Sequence, residues 1–135
     1  MRTLLVAALL AGASAIFAAP VLRPPVEVPI MGFGARVNDG RVILTWRRYK
    51  RDDFKSYQLV KSADAKLQYP DTPALFSADG ADETRFEDGK LSAGTWHYRL
   101  CIVTRFGDRW VSPVVTVVVG PGDLRRVPPT EADFE

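Results

Sequence analysis

One histidine, His97, and one cysteine, Cys101, lie four residues apart, and a nucleophile with its base is the first chemistry that such a pair suggests. The segment that carries them, WHYRLCIV, alternates as a β-strand does. On a strand a spacing of four puts the two side chains about 13 Å apart, at a rise of roughly 3.3 Å per residue. That is beyond hydrogen-bond reach, so His97 is expected as a solvated residue on a sheet face and not as a catalytic base. One His and one Cys also fall short of a structural zinc site. The carboxylates come as Asp52-Asp53, Glu87-Asp88 and Asp79 with Asp82. None has the spacing of a calcium loop, and a glycan-active hydrolase, the alternative from the enzyme class, needs two carboxylates converging in one cleft. These sit on separate turns, where aspartates bond to their own backbone. The expectation is a chain with no catalytic residue, no cofactor and no metal.

The residues left for binding are basic. WRRYKRDDFKSY, Trp46 to Tyr57, puts Arg47, Arg48, Lys50 and Arg51 into five positions around Tyr49 and follows them with two aspartates. Arg and aromatic residues carry interface energy and hold anionic groups by planar, bidentate contacts. Against that, Asp52, Asp53 and Asp108 can neutralise much of the field, and a charge run is usually a solvated loop between strands. Cys101, an odd thiol, reads as a small residue tucked under a neighbouring side chain or strand, with an intermolecular disulfide as its alternative.

The elements that position these residues are strands. VLRPPVEVP, Val21 to Pro29, holds three prolines, which forbid a helix and suit an extended lead-in or a broken edge strand. Asn38-Asp39-Gly40 is a turn; RVILTW, Arg41 to Trp46, then alternates Val42, Leu44 and Trp46 on one face. Tyr57 and Leu59 continue the alternation, Ala74 to Phe76 is a short edge piece, and ETRFE, Glu83 to Glu87, is a short strand before the turn at Asp88-Gly89. Trp96, Tyr98, Leu100 and Ile102 form the longest inward stripe, with His97, Arg99, Cys101 and Val103 opposite. WVSPVVTVVV, Trp110 to Val119, is a last strand, and residues 120–135 are a flexible tail without periodicity. Several short strands between turn signals, with no helical stripe, make an all-β antiparallel sandwich. The body of the domain spans 37–119, and residues 19–36 form the lead-in and first strand.

LSAGTWHYRLCIV, Leu91 to Val103, resembles the segment that enters the sixth strand of a fibronectin type III domain, and VILTW, Val42 to Trp46, is similar to the second strand with its buried Trp. DDFKSYQLVKS followed by QYPD resembles a bacterial exported variant of that module, and the likeness runs from about Val26 to Val119. It implies an immunoglobulin-like sandwich in which the loops after the second and sixth strands, and that between the fourth and fifth, emerge at one end. Arg47, Arg48, Tyr49, Lys50 and Arg51 would then gather with Arg105, Phe106 and Arg109. One residue departs from the pattern: Trp96 stands where the family has a tyrosine whose hydroxyl bonds back to the backbone. An indole N–H donates but does not accept, so that bond, worth about 1 kcal/mol, must be remade or lost.

Composition sets the compartment. MRTLLVAALLAGASAIFAAP has a basic residue, an apolar run and small residues, the anatomy of a secretory signal peptide over residues 1–18; an uncleaved anchor is the alternative. Loss of Arg2 leaves 17 of the 18 basic residues against 16 acidic ones, too even a balance for a general affinity for nucleic acid. The expectation is a secreted, non-catalytic module, extracellular or periplasmic, with no membrane contact after cleavage and an unknown protein or an acidic glycan as partner. A subunit of a larger surface assembly, joined through free strand edges, is a further alternative. The intact mass of the exported protein should correspond to a chain starting at Ala19 or Ile16; Met1 retained in a membrane fraction would contradict this.

Overall fold

Gly40 sits at φ +75°, in the left-handed region that glycine adopts without steric cost, and there the chain reverses between β2 (Gly34–Asn38) and β3 (Arg41–Thr45). The computed structural model describes residues 21–135 except 31, 39, 68, 70, 71, 90 and 125–127. The expected leader, Asp39 of the first turn, and Gln68, Pro70 and Asp71 of the QYPD segment lie outside the described residues. The other strands are β1 (Val26–Glu27), β4 (Phe54–Ser62), β5 (Ala74–Ala78), β6 (Arg85–Asp88), β7 (Gly94–Thr104), β8 (Arg109–Val111) and β9 (Val115–Val119). Two short 3-10 helices, Pro121–Leu124 and Glu131–Asp133, interrupt the C-terminal segment.

β2, β3 and β6 form one antiparallel sheet in the order β2-β3-β6. The other runs β1-β8-β7-β4-β5, with β9 also paired to β7. Period-two alternation builds the core between them: Val42, Leu44 and Trp46 come from one side, and Tyr57, Leu59, Tyr98, Leu100 and Ile102 meet them from the other, all buried. Trp46 is its aromatic hub, edge-on to Tyr57 at 5.5 Å between ring centroids and tilted against Phe33 and Phe76 at 6.4 and 6.5 Å. The inward stripes of the sequence thus meet in one cluster, with Trp96 half-buried at its margin.

The lead-in serves both sheets. Val26 and Glu27 pair in parallel with Trp110 and Val111, and after the crossing at Pro29 to Gly32 the chain joins the other sheet as β2. The first strand therefore pairs one edge with β8 and is the outer strand of that sheet. The expected single last strand is two. Pro113 has no N–H to give a ladder, and β8 pairs with Cys101 to Val103 while β9 pairs with Gly94 to Tyr98. Ser112 bridges the break, its N–H donating to the Leu100 carbonyl and its Oγ accepting from the Leu100 N–H.

Two further expectations are corrected. His97 is not solvated: it is 8 % exposed, with Nδ1 2.9 Å from Thr116 Oγ1 of the neighbouring β9. The Glu83–Glu87 strand runs over Arg85–Asp88, and Asp88 is a buried strand residue and not a turn residue, because alternation from Phe86 turns it inward.

Trp46→Ala removes a ring that is 5 % exposed and touches three aromatic neighbours, so it should cost about 3 to 5 kcal/mol. A loss under about 1 kcal/mol in urea denaturation would contradict this packing.

Candidate functional site

The β3–β4 loop that carries the basic run is held from several sides. Tyr57, fully buried at its ring, accepts a hydrogen bond from the Tyr49 N–H at 2.9 Å and donates from the same hydroxyl to the Ala81 carbonyl at 2.8 Å. One phenol thereby joins the β3–β4 loop to the β5–β6 loop. The Tyr49 hydroxyl donates to Asp53 Oδ1 at 2.7 Å. Burial and that carboxylate raise the Tyr49 phenol above its ordinary value, with Arg51 opposing. Arg48 Nε pairs with Asp82 Oδ1 at 2.5 Å. Arg105 donates its guanidinium to the Asp52 carbonyl and its N–H to the Asp53 carbonyl, which brings the β7–β8 turn against the loop.

A groove of about 560 Å³ lies beside this loop. Val28, Pro29 and Ile30 of the crossing lead-in line it along with Arg47 to Arg51, and Ile102 and Trp110 of the sheet complete it. Gly32 lets the two walls approach: it has φ +72°, and a Cβ there would come within 2.6 Å of Arg47 Cγ. Among the described residues, no salt bridge engages Arg47, Lys50 or Arg51, whereas Arg48 is taken by Asp82.

The expected cluster is only partly assembled. Arg47, Arg48, Tyr49, Lys50 and Arg51 share the groove, and Arg105 reaches the same loop. Phe106 is 62 % exposed in the β7–β8 turn, next to Gly107, whose φ is +88° and whose hypothetical Cβ would lie 2.5 Å from the Val21 carbonyl oxygen. Arg109 is elsewhere. It follows Val103 to the outer sheet face, donates Nε to the Arg23 carbonyl at 2.8 Å and lies 5.8 Å over the Tyr69 ring, because in β8 it is Trp110 that turns inward. Asp108 pairs with Arg23 and so does not quench the β3–β4 loop.

That outer face is covered. Cys101, Val103 and Val111 are buried there with Tyr69 against them. Cys101 is thus a small residue beneath a neighbouring side chain; burial pushes its thiol up to about 12, with Tyr69 and Arg109 opposing, so the reactive thiolate is suppressed.

A second polar cluster lies at the opposite end of the core, beyond what motif reading found. Lys61 Nζ is 2.7 Å from Asp88 Oδ2, which also accepts from the Tyr98 hydroxyl at 2.8 Å, and the ammonium sits 4.5 Å over the Trp96 ring. Burial, then the bond to Asp88, raises the Tyr98 phenol strongly. The signal was alternation carried one step further, since Tyr57 and Leu59 are followed by Lys61 on the same face. The corner bond is remade: Trp96 Nε1 donates to the Ser92 carbonyl at 2.9 Å, four residues back. Among the described residues no group of three His, Cys, Asp or Glu is arranged to hold a metal ion.

No protein-family model and no curated protein matches the chain. Solved structures do, and they define an immunoglobulin-like β-sandwich. The sixth fibronectin type III domain from human fibronectin type III domain containing protein 3 matches with TM-score 0.56 and 15% identity, over 84% of this chain and 99% of that one. An Fn3-like protein from Clostridium thermocellum matches with TM-score 0.53 and 15% identity, over the same shares of 84% and 99%. The fold is that of a fibronectin type III domain. Pectate lyase PelI from Erwinia chrysanthemi, solved in complex with tetragalacturonic acid, matches with TM-score 0.54 and 16% identity over 67% of this chain, which spans only 28% of the lyase.

Alkali should test the buried outer face. In the unfolded chain the Cys101 thiol ionises near 9, but in the fold only near 12, so above pH 9 the unfolded state holds fewer protons and stability falls as pH rises. The Tyr69 phenol, raised from 10.0 to about 12 mainly by burial, adds to the loss from pH 10 upward. The urea midpoint should drop steadily between pH 9 and pH 12, and Cys101→Ala should flatten the first part of that drop. A wild-type midpoint unchanged between pH 9 and pH 10 would contradict it.

Proposed function

We propose that this chain is an exported, non-catalytic recognition module that binds an acidic polymer at the end formed by the β3–β4 loop. The observation that carries this reading is the groove, in which Arg47, Lys50 and Arg51 line a concave surface with no salt bridge to any described carboxylate. Arg48, in the same loop, is instead paired with Asp82. The loop backbone is also fixed before any ligand arrives, by the Tyr57 and Arg105 contacts, so the ordering cost of binding falls on the exposed side chains alone. Among the described residues, His97 is buried against Thr116, and Asp88, a buried carboxylate, is engaged by Lys61 and Tyr98, which supports the non-catalytic reading. The same fold accompanies a pectate lyase solved with tetragalacturonic acid, which adds weight to an acidic glycan as the partner.

Affinity electrophoresis of the mature chain through sodium polygalacturonate tests this. Migration should be retarded, the retardation should fade as salt rises because exposed charges are screened beyond about 8 Å at physiological ionic strength, and no reducing ends should be released. Replacing Arg47, Lys50 and Arg51 together by Gln should abolish retardation and shift stability by less than about 0.5 kcal/mol. Unretarded wild-type protein in this polymer and in a sulfated one would overturn the reading, and release of reducing ends would overturn its non-catalytic part.

A further inference from the structure

The groove is more than a cationic patch. Its rim is basic, but one wall is Val28, Pro29 and Ile30, and Ile102 and Trp110 complete the lining, with Tyr49 beside the cations. A surface that serves only a polyelectrolyte needs exposed charge and no concave apolar lining, since charge neutralisation is insensitive to the shape of the bearer. A ligand that uses both features carries an anionic group at one end of a body with an apolar face. A pyranose ring bearing a carboxylate is such a body: its C–H face lies against aromatic or aliphatic side chains, and its planar carboxylate matches a guanidinium in bidentate fashion. The volume of about 560 Å³ is within the usual range of roughly 300 to 1,000 Å³ for small-molecule sites.

Resting on the reading above, we infer that the groove takes a carboxylated sugar unit, with the ring between the Val28–Ile30 wall and Trp110 and the carboxylate at Arg47 and Arg51. Arg47 is the better placed for a fixed contact, because its stem packs on Gly32 and its head is not engaged by a salt bridge among the described residues. The Trp110 ring is half-buried against the main core, and its edge position between Ile102 and the lead-in makes it the boundary of the groove. Lys50 supplies a second, freely rotating charge suited to a neighbouring acidic unit and not to shape recognition. The inference thus separates selection, by Arg47, Arg51 and the apolar lining, from general attraction, by Lys50.

Calorimetric titration at fixed ionic strength with trigalacturonate, its fully methyl-esterified form, dextran sulfate and anionic phosphatidylglycerol vesicles tests it. Trigalacturonate should bind at least tenfold more tightly than the ester. Ile30→Ser, which alters the wall without removing charge, and Arg47→Gln should each weaken it about tenfold, while Arg36→Gln, an exposed cation on β2, should leave it unchanged. The circular dichroism melt of each variant identifies any that fails to fold; Val28→Ser then stands in place of Ile30→Ser, and Arg51→Gln in place of Arg47→Gln, with the same expected loss. Dextran sulfate binding as well as trigalacturonate, charge for charge, would overturn carboxylate-sugar selection while leaving polyanion recognition standing. Vesicles bound in preference to either would overturn it in favour of a lipid surface. Failure of all four ligands would overturn the recognition reading itself.

Discussion

The hydroxyl of Tyr57 is the contact on which the β3–β4 end of the sandwich depends. It reaches from the floor of the core to two loops at once, accepting from Tyr49 and donating to Ala81 in a part-buried position. Without it, the Tyr49 N–H and the Ala81 carbonyl would each need another partner, and one such bond contributes about 0.5 to 1.5 kcal/mol net. The loop between β3 and β4 exposes its long cationic side chains but is tied down at Tyr49. Anchored as it is, it presents Arg47 to Arg51 as one wall of a groove whose other wall is the lead-in, crossing from one sheet to the other at Gly32.

The other end of the sandwich solves a different problem with similar means. There Lys61 and Asp88 face inward and would be costly alone, since an uncompensated buried charge is strongly destabilising. They meet each other, Tyr98 adds a hydrogen bond, and the Trp96 face shelters the ammonium. Trp96 also closes the corner through Ser92, so an indole performs what a phenol performs in related folds and additionally offers a broad ring to Lys61. The chain therefore has one end locked by mutually satisfied charges and one end where Arg48 is paired with Asp82 but Arg47, Lys50 and Arg51 have no salt bridge among the described residues.

Period two made most of the fold legible. The stripes Val42, Leu44, Trp46 and Trp96, Tyr98, Leu100, Ile102 could be assigned to the core because a strand turns alternate residues to one face, and the structure buries them there. The opposite faces were less readable. Ile43, His97 and Cys101 are buried too, because other side chains and segments cover faces that alternation alone assigns to solvent. Pairing across distance was also hidden: nothing local in VLRPPVEVP shows that Val26 and Glu27 pair in parallel with β8, and nothing local in WVSPVVTVVV except Pro113 marks a strand broken in two. Of the candidate site, the run Arg47 to Arg51 was visible as composition and Arg105 as a topological neighbour. Arg109 was misassigned because its facing depends on the β8 register, and Val28 to Ile30 and Trp110 were missed as groove residues because a concavity is made by tertiary placement.

Taken together, the cations of the basic run are exposed on a loop and also line a concave surface, and that concavity is the claim on which the functional account rests. Nuclear magnetic resonance titration of the chain with trigalacturonate addresses it most directly, because each backbone amide and each indole N–H reports its own surroundings. The account predicts shifts concentrated at the amides of Val28, Ile30 and Arg47 to Arg51 and at the Trp110 indole, with the Trp96 indole and the amides of β2 unmoved. Shifts spread evenly over exposed basic residues, Arg36 and Arg41 included, with the Trp110 indole unmoved, would contradict it.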